Sequence, residues 1–457
     1  MHEKRKVTSS SMMMMLFLMV FSSTFEGCFS AANQPQKNKR QSKSMVTNRF
    51  GSSVVFPVTG NVYPKGYYHV TLDIGNPPKP YILDVDTGSD LTWLQCDAPC
   101  TKCTPAPHTL YKPHKNPITC KDPLCASLHW PAKPPCKTPD EQCDYEVEYA
   151  DHGSSLGVLV KDSFALRFTN GSVVRPHLVF GCGYHQEVPD SIRAPYTDGV
   201  LGLGDGKMSI VSQLYDLGLT QNMVGHCLSG KGGGFLFVGD DLVPSSGIVW
   251  APMLRNSLDK DHSLGPAKLL YGGRSIGVKS LPIVFDSGST YSYFNSQVYN
   301  ATISMVKKDL YGKLKDAVED RSLPVCWKGT KPFKSIHDVK NYFKPLVLSF
   351  TNAKNIHLEL PPEAYLIITE HGNVCLGILN GAEAGLGNFN IIGDISLQDK
   401  MVIYDYKKRQ IGWVPANCDR LPNLDHDYKE GFFKAFSANI GIFEEQSPTA
   451  YASSKDL

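Results

Sequence analysis

Apolar and polar residues alternate in part along two segments, SSVVFPVTG (residues 52–60) and YYHVTLDIG (67–75). Alternation with a period of two is typical of strands that bury one face. Similar runs, separated by Gly and Pro turns, continue as far as IYDYKKRQIGWVP (403–415). The pattern therefore predicts a mostly β fold.

Segments with helical spacing are few. The clearest runs from Asn295 to Val318, where Val298, Ile303, Val306 and Leu310 lie near helical spacing. The 39 Gly and 31 Pro residues among 457 support this view, because they favour turns between strands. One amphipathic helix within a β framework is expected.

One strand-and-turn pattern occurs twice, 200 residues apart. YILDVDTGSDLTW (81–93) and LPIVFDSGSTYSYF (281–294) are apolar strands that each end in Asp-[Thr/Ser]-Gly-Ser. Each is followed, about a hundred residues later, by an apolar run ending in Gly: HLVFG at Gly181 and NIIG at Gly393. This repeat predicts two related lobes that meet at a shared interface.

The repeated acids, Asp86 and Asp286, are candidate catalytic residues. A single Asp-Thr-Gly is a common turn, but an acid after an apolar strand is costly to bury unless it is bonded or paired. Two carboxyl groups within about 3 Å share one proton. One can then act as general base on a water while the other polarises a carbonyl group.

The flanking residues fit this chemistry. Thr87 and Ser287 can buttress the two loops, and Gly88 and Gly288 allow tight turns. The next residue of each motif, Ser89 or Ser289, can bond the outer carboxylate oxygen.

These motifs resemble the two catalytic motifs of pepsin-family aspartic peptidases, more closely the plant nucellin-like kind, over about residues 60 to 420. The resemblance implies a bilobal pepsin-like fold with the active cleft between the lobes. It also implies peptide-bond hydrolysis at acidic pH by Asp86 and Asp286, without a metal or other cofactor. Ser287 replaces the Thr that is usual in animal enzymes and keeps the hydroxyl group.

Further segments carry the same resemblance. Tyr149 corresponds to the tyrosine of the flap, the hairpin that covers the cleft in this family, and Trp93 to the tryptophan that supports it. DGVLGLG (198–204) and IIGDISLQDKMVIYDYKKRQIGWVP (391–415) resemble characteristic segments of the first and second lobes. Cys326 and Cys375 are, by the same analogy, a candidate disulfide.

The N-terminus has the order of a secretory signal: a basic start, ten apolar residues from Met12 to Phe21, then small residues. The run is short of the roughly 20 residues that span a bilayer, so no stable membrane anchor is expected. We expect a signal peptide at 1–32 and a short basic pro-segment or linker at 33–50. An N-terminal lobe at 51–245, a C-terminal lobe at 246–420 and a tail at 421–457 follow.

Thirteen cysteines also bear on the compartment. Cys28 leaves with the signal, and seven of the other twelve lie in a predicted insertion at 96–143. Cys96, Cys100 and Cys103 have a spacing that could hold part of an iron–sulfur cluster, but an exported chain meets oxidising conditions that favour disulfides. The pairing cannot be read from the sequence. The secretory pathway, with the apoplast or the vacuole as destination, is the expected location.

The formal charge of +2 does not indicate a nucleic-acid partner, since such partners favour a strongly basic chain. A protein or peptide substrate, a monomeric state and N-glycosylation at Asn170 and Asn300 are expected.

A binding protein is the alternative function. Some plant relatives keep the fold, lose catalysis and inhibit glycan-degrading enzymes. Those relatives alter the second motif, which is intact here.

Overall fold

The computed structural model describes residues 52–420 except 99, 101, 115, 189–194, 255–262, 279 and 352–355. The predicted signal peptide, pro-segment and C-terminal tail lie outside the described residues. Within those residues the protein is mostly β and bilobal, which confirms the predicted fold class. No helix in this part of the chain is long and apolar enough to cross a bilayer.

The first half of the chain contributes eleven of the described strands and two short helices. The strands are β1 (Val54–Asn61), β2 (Tyr67–Ile74), β3 (Lys79–Asp86), β4 (Trp93–Gln95), β5 (Asp144–Glu148), β6 (Ser154–Arg167), β7 (Val173–Val174), β8 (His177–Glu187), β9 (Gly199–Gly202), β10 (Met223–Leu228) and β11 (Gly234–Val238). The helices are α1 (Pro123–His129) and α2 (Ile210–Asp216).

The second half contributes the remaining described strands and two further α-helices. The strands are β12 (Val249–Pro252), β13 (Ser263–Tyr271), β14 (Arg274–Ser275), β15 (Leu281–Phe285), β16 (Ser292–Phe294), β17 (Lys315–Asp316), β18 (Cys326–Lys328), β19 (Leu346–Phe350), β20 (His357–Leu360), β21 (Leu366–Ile368), β22 (Val374–Leu376), β23 (Ile378–Asn380), β24 (Ile391–Ile392), β25 (Lys400–Asp405) and β26 (Gln410–Pro415). The helices are α3 (Ser296–Leu310) and α4 (Asp394–Leu397), with 3-10 turns at Ile336–Asp338 and Pro362–Ala364.

The described strands form three sheets. The largest has the order β12-β26-β25-β10-β11-β1-β2-β3-β9-β4-β8-β6-β5, with β7 paired to β6. Strands β25 and β26 come from the end of the chain but pair beside β10, so this sheet joins both halves of the sequence. The second sheet is β20-β19-β13-β15-β24-β16-β23, with β14 on β13, and the third is β17-β18-β22-β21.

The strand next to each Asp motif identifies the true repeat. Strand β3 pairs in parallel with β9, which aligns Asp86 with Gly202, and β15 pairs in parallel with β24, which aligns Phe285 with Ile392. The counterpart of NIIG is therefore GVLG, not the HLVFG run that the sequence analysis assigned. That assignment was wrong because both runs are apolar strands ending in Gly. Gly181 instead faces Trp93 across β8 and β4.

The predicted helix at 295–318 exists but is shorter. Helix α3 ends at Leu310, and Gly312 follows with a φ of +74°. A left-handed residue cannot continue an α-helix, and glycine adopts this conformation at little cost. Of the predicted apolar face, Val298, Val306 and Leu310 are buried, which attaches the helix to the core.

Six disulfides pair all twelve cysteines that follow Cys28. They are Cys96–Cys182, Cys100–Cys103, Cys120–Cys136, Cys125–Cys143, Cys227–Cys418 and Cys326–Cys375. Three of these bonds close loops within residues 96–143, and the first ties that segment to β8. The sulfur atoms considered for an iron–sulfur cluster each have a cysteine partner.

Candidate active site

Asp86 and Asp286, here called the Asp pair, lie together in a cleft of about 1540 Å³. Asp86 is the last residue of β3, and Asp286 directly follows β15. Asp86 is 7% exposed, and the neighbouring carboxyl group of Asp286 acts on its titration. Apolar strands thus carry two acids from distant parts of the sequence to one place.

Backbone and hydroxyl groups hold the carboxyl group of Asp86. Its Oδ1 accepts hydrogen bonds from the backbone N–H of Gly88 at 2.7 Å and of Ser89 at 3.2 Å. The hydroxyl of Ser89 donates to Oδ2. These contacts orient both oxygens before any substrate binds.

The second motif repeats this arrangement around Asp286. The N–H of Gly288 donates to Oδ1 at 2.9 Å, and the hydroxyl of Ser289 donates to Oδ2 at 2.6 Å. The near-identical contacts show that the two loops are structurally equivalent, as the repeat predicted.

Thr87 and Ser287 lock the two loops to one another. The N–H of Thr87 donates to Ser287 Oγ at 3.2 Å, and the N–H of Ser287 donates to Thr87 Oγ1 at 3.0 Å. Ser287 Oγ in turn donates to the carbonyl of Val85 at 2.9 Å. Ser287 therefore makes the reciprocal contacts with a serine hydroxyl, and its lack of the threonine methyl group costs none of them.

The two motif glycines permit the close approach of the acids. A Cβ added to Gly88 would lie 2.6 Å from Oδ1 of Asp286, and one added to Gly288 would lie 2.6 Å from Oδ1 of Asp86. Real Cβ contacts of this length do not occur, and the carboxyl groups are held by their hydrogen bonds. The reason for glycine here is space next to the opposite acid.

Burial and the neighbouring acid change the titration of the pair. Loss of solvent, followed by the charge of Asp286, raises the pKa of Asp86 to about 7, against hydrogen bonds from Ser89 and Gly88 that lower it. A second ionisation of two adjacent buried carboxyl groups is unfavourable. The pair therefore keeps a proton up to about pH 7.

Tyr149 lies where strands β5 and β6 form a hairpin beside the cleft. Its hydroxyl accepts a hydrogen bond of 2.6 Å from Nε1 of Trp93, which lies on β4. At the hairpin tip, the N–H of His152 donates to the carbonyl of Tyr149 at 2.9 Å. The backbone of His152 has a φ of +68°. The two predicted flap residues are thus in direct contact.

The other predicted sites lie on separate elements. Asn170 is exposed in the turn between β6 and β7, and Asn300 is exposed on α3. Cys326 and Cys375 face one another on β18 and β22 and are bonded.

Four buried polar residues near the Asp pair were missed by the sequence analysis. Asp84 precedes Asp86 by two positions, and Asp394 opens α4; each has an Oδ1 without a hydrogen-bond partner among the described residues. Tyr404 Oη lies 3.3 Å from Thr87 Oγ1 and 3.3 Å from Nε2 of His226. Of these four, only Asp84 could have been found from the sequence, because alternate residues of a strand share a face and Asp84 lies two positions before Asp86.

A bilobal β fold with two equivalent Asp loops at one cleft defines the pepsin-like class of aspartic proteinases. The family model "Xylanase inhibitor N-terminal" matches residues 68–240, and "Xylanase inhibitor C-terminal" matches residues 277–415. An aspartic proteinase of Oryza sativa subsp. japonica is 46% identical over 386 residues, which cover 82% of this chain and 93% of the relative. The chain belongs to this plant family of pepsin-like aspartic proteinases.

Other relatives agree on family and fold. Aspartic proteinase 39 of Arabidopsis thaliana is 28% identical over 408 residues, covering 84% of this chain and 82% of the relative. Basic 7S globulin from soybean superposes with a TM-score of 0.62 at 19% identity, covering 81% of this chain and 99% of that chain. Conglutin gamma from lupine seeds gives 0.63 at 16% identity, covering 82% and 100%. At these identities the two seed proteins establish the fold alone.

Proposed function

We propose that this protein is an aspartic endopeptidase that hydrolyses peptide bonds at acidic pH through a water activated by Asp86 and Asp286. The observation that carries the proposal is the Asp pair in one cleft, where a glycine N–H and a serine hydroxyl of its own motif hold each carboxyl group. A pair that holds one proton provides both a base and an acid.

The proposed reaction begins when the ionised carboxyl group accepts a proton from a water whose oxygen attacks the peptide carbonyl carbon. The protonated carboxyl group donates its proton to the carbonyl oxygen, which gives a neutral tetrahedral intermediate. A proton then passes from a carboxyl group to the amide nitrogen, the C–N bond breaks, and the other carboxyl group recovers the proton of the new acid. The pair returns to its starting state, so atoms and charges balance.

Tyr149 and Trp93 have a supporting role in this proposal. The hairpin that carries Tyr149 borders the cleft, and the 2.6 Å bond from Trp93 fixes the position of the tyrosine ring. A closed hairpin would exclude bulk water and hold an extended peptide over the acids.

A binding protein is the second candidate, because the matching family models carry the description of a xylanase inhibitor. The intact second motif argues against it. The N–H of Gly288 and the hydroxyl of Ser289 hold the carboxyl group of Asp286. The N–H of Ser287 also donates to Thr87 Oγ1.

The deciding experiment uses the secreted full chain with a denatured protein as substrate, from about pH 3 to 8, with and without pepstatin. We expect pepstatin-sensitive cleavage that falls as the pH rises through about 7, where Asp86 loses its proton and the pair becomes doubly charged. Asp86→Asn and Asp286→Asn should fold, as judged by thermal melting, and show no cleavage. Pepstatin-sensitive cleavage by either variant would contradict the assignment of the pair.

A folded wild-type chain without cleavage at any pH would favour the binding protein. Inhibition of a purified xylanase by the same preparation then decides that alternative directly.

The export predictions belong to the same proposal. We place the protein in the nucellin-like subgroup, as a secreted or vacuolar monomer with a signal peptide at 1–32 and lobes at 51–245 and 246–420. The twelve paired cysteines support passage through an oxidising compartment. N-terminal sequencing of the secreted chain, and its mass before and after removal of N-glycans, test the processing site and the use of Asn170 and Asn300.

A further inference from the structure

Tyr404 is a buried tyrosine in contact with the first Asp loop. It lies on β25, and its Oη is 3.3 Å from Thr87 Oγ1 and 3.3 Å from Nε2 of His226. His226 lies on the neighbouring strand β10 and is also fully buried, with its ring centroid 5.8 Å from that of Tyr404. We call His226, Tyr404 and Thr87 the buried network. The mechanism proposed above uses neither Tyr404 nor His226.

The hydroxyl of Thr87 holds the opposite Asp loop. It donates to the carbonyl of Phe285 at 3.4 Å, and Phe285 directly precedes Asp286. Ser287 Oγ makes the reciprocal bond to the carbonyl of Val85, at the same place in the first motif, at 2.9 Å. Each hydroxyl therefore holds the peptide unit that carries the opposite acid. The bond from Thr87 is the longer of the two, so the position of Asp286 depends more on whatever orients the Thr87 hydroxyl.

The partners of the buried network assign its protons. Burial raises the pKa of Tyr404 above its usual range, and the charge of Asp286 adds to this shift. Burial lowers the pKa of His226 to about 3, so its ring is neutral above that pH and has a single N–H. Nδ1 of His226 has no hydrogen-bond partner among the described residues, so a proton there would be an unpaired buried donor. A proton on Nε2 is instead donated to Tyr404 Oη.

With the proton on Nε2, the hydrogen bonds of the buried network all run in one direction. His226 donates to Tyr404, which donates to Thr87 Oγ1. Thr87 then donates to the carbonyl of Phe285. Because Thr87 Oγ1 also accepts from the N–H of Ser287 at 3.0 Å, its one proton and two acceptor positions are all used. Hydrogen bonds in such a series strengthen one another, so the Tyr404 hydroxyl directs the Thr87 proton toward Phe285.

We propose that Tyr404 and His226 are positioning residues that set the geometry of Asp286 through the hydroxyl of Thr87. This inference rests on the proposed peptidase function and adds two residues to its machinery. The described residues that line the cleft include neither Tyr404 nor His226, so neither side chain contacts a substrate there. Loss of the buried network should therefore lower kcat and leave KM unchanged.

Tyr404→Phe is the first variant, because it removes the hydroxyl and keeps the ring. We expect kcat on a peptide substrate to fall about five- to tenfold, the scale of one hydrogen bond, with KM within about twofold of the wild type. Tyr365→Phe is the matched control. Tyr365 is also fully buried, its hydroxyl donates to the carbonyl of Lys344 at 2.6 Å, and it is not among the cleft residues. This variant should keep the wild-type kcat although it too loses a buried hydrogen bond.

Two His226 variants test the start of the buried network. His226→Gln keeps an N–H donor near the position of Nε2 and should keep kcat within about twofold. His226→Leu has no donor and should lower kcat about as much as Tyr404→Phe. The double variant of Tyr404→Phe and His226→Leu should have no lower kcat than Tyr404→Phe alone, because both changes interrupt the same series of bonds. Thermal melting shows which variants fold, and if His226→Leu does not, Tyr404→Phe and His226→Gln decide the question.

Three results would overturn the positioning role: a folded Tyr404→Phe with wild-type kcat, an equal loss of kcat in Tyr365→Phe, or a folded His226→Gln that loses as much kcat as Tyr404→Phe. A wild type that cleaves no peptide instead contradicts the peptidase function. Urea unfolding then tests the buried network by itself, through a double-mutant cycle of Tyr404→Phe with Thr87→Val. Additive losses in the free energy of unfolding would reject it.

Discussion

At the scale of single residues, the Asp motifs show which side-chain properties the site requires. Ser287 replaces threonine without loss of the cross-loop bonds, because these bonds use only the hydroxyl group and the backbone. Gly88 and Gly288 have no such tolerance, since each faces the carboxyl group of the opposite motif. The sequence shows which residues form each motif. Only the structure shows that each glycine leaves room for the carboxyl group of the opposite motif.

We predict that Gly88→Ala reduces kcat by at least about a hundredfold, because its Cβ would force Asp286 out of hydrogen-bond range of Asp86. Gly288→Ala should have the same effect through Asp86. Steady-state kinetics on a peptide substrate measure this, and retention on immobilised pepstatin reports whether the cleft still binds. Wild-type kcat in either variant would show that the pair tolerates displacement.

At the scale of elements, the local pattern of apolar residues predicted whether a segment forms a strand or a helix better than it predicted which strand that segment pairs with. Val298, Val306 and Leu310 are buried on α3 as predicted, but the helix ends at Leu310 because Tyr311 has a ψ of 125° and Gly312 then turns left-handed. HLVFG and GVLG both read as strands, and only the parallel pairing of β3 with β9 distinguishes them. The hairpin of β5 and β6 reaches the cleft because β6 continues into the main sheet beside β8.

We predict that Trp93→Phe lowers kcat/KM about tenfold by removing the hydrogen bond to Tyr149, with a smaller change in stability. Tyr149→Phe should have a similar effect, and the double variant should be no worse than either single variant because both changes remove the same contact. A double-mutant cycle on kcat/KM measures the coupling. Additive losses would mean that the two residues act separately.

At the scale of the whole molecule, the core around the Asp pair contains several acids that are costly to ionise. Burial raises the pKa of Asp394 well above its usual range, with further contributions from Asp84, Asp286 and Asp86. Two buried histidines act in the opposite sense: burial lowers the pKa of His69 to about 4 and that of His226 to about 3. The stability of the protein against pH is the balance of these two sets.

We predict that Asp394→Asn becomes more stable relative to the wild type as the pH rises from about 4. In the unfolded wild type Asp394 loses its proton near pH 4, whereas the folded state keeps it, so the wild type loses stability as the pH increases. Asparagine does not ionise, and the difference should grow by up to about 1.4 kcal/mol per pH unit. Urea unfolding of both proteins at about pH 4, 5.5 and 7 measures it.

The histidines provide the control of opposite sign. His69 is neutral in the folded protein and protonated in the unfolded chain between about pH 4 and 6.5, so it adds stability as the pH rises through that range. His69→Gln should therefore lose stability relative to the wild type over the same interval.

A constant difference between wild type and Asp394→Asn would show that Asp394 ionises normally in the folded state.

The sequence by itself determined the β class, the duplicated Asp motifs and the residues that hold each carboxyl group, because those features depend on neighbours within a few positions. Asp86 with Gly88 and Ser89 is such a local unit. Only the tertiary structure decided the partners of the ten cysteines other than Cys326 and Cys375. It also decided the match of Gly202 with Asp86 and the cross-loop bonds of Thr87. These contacts join residues far apart in the chain, and their formation depends on how the sheets pair and pack rather than on local sequence.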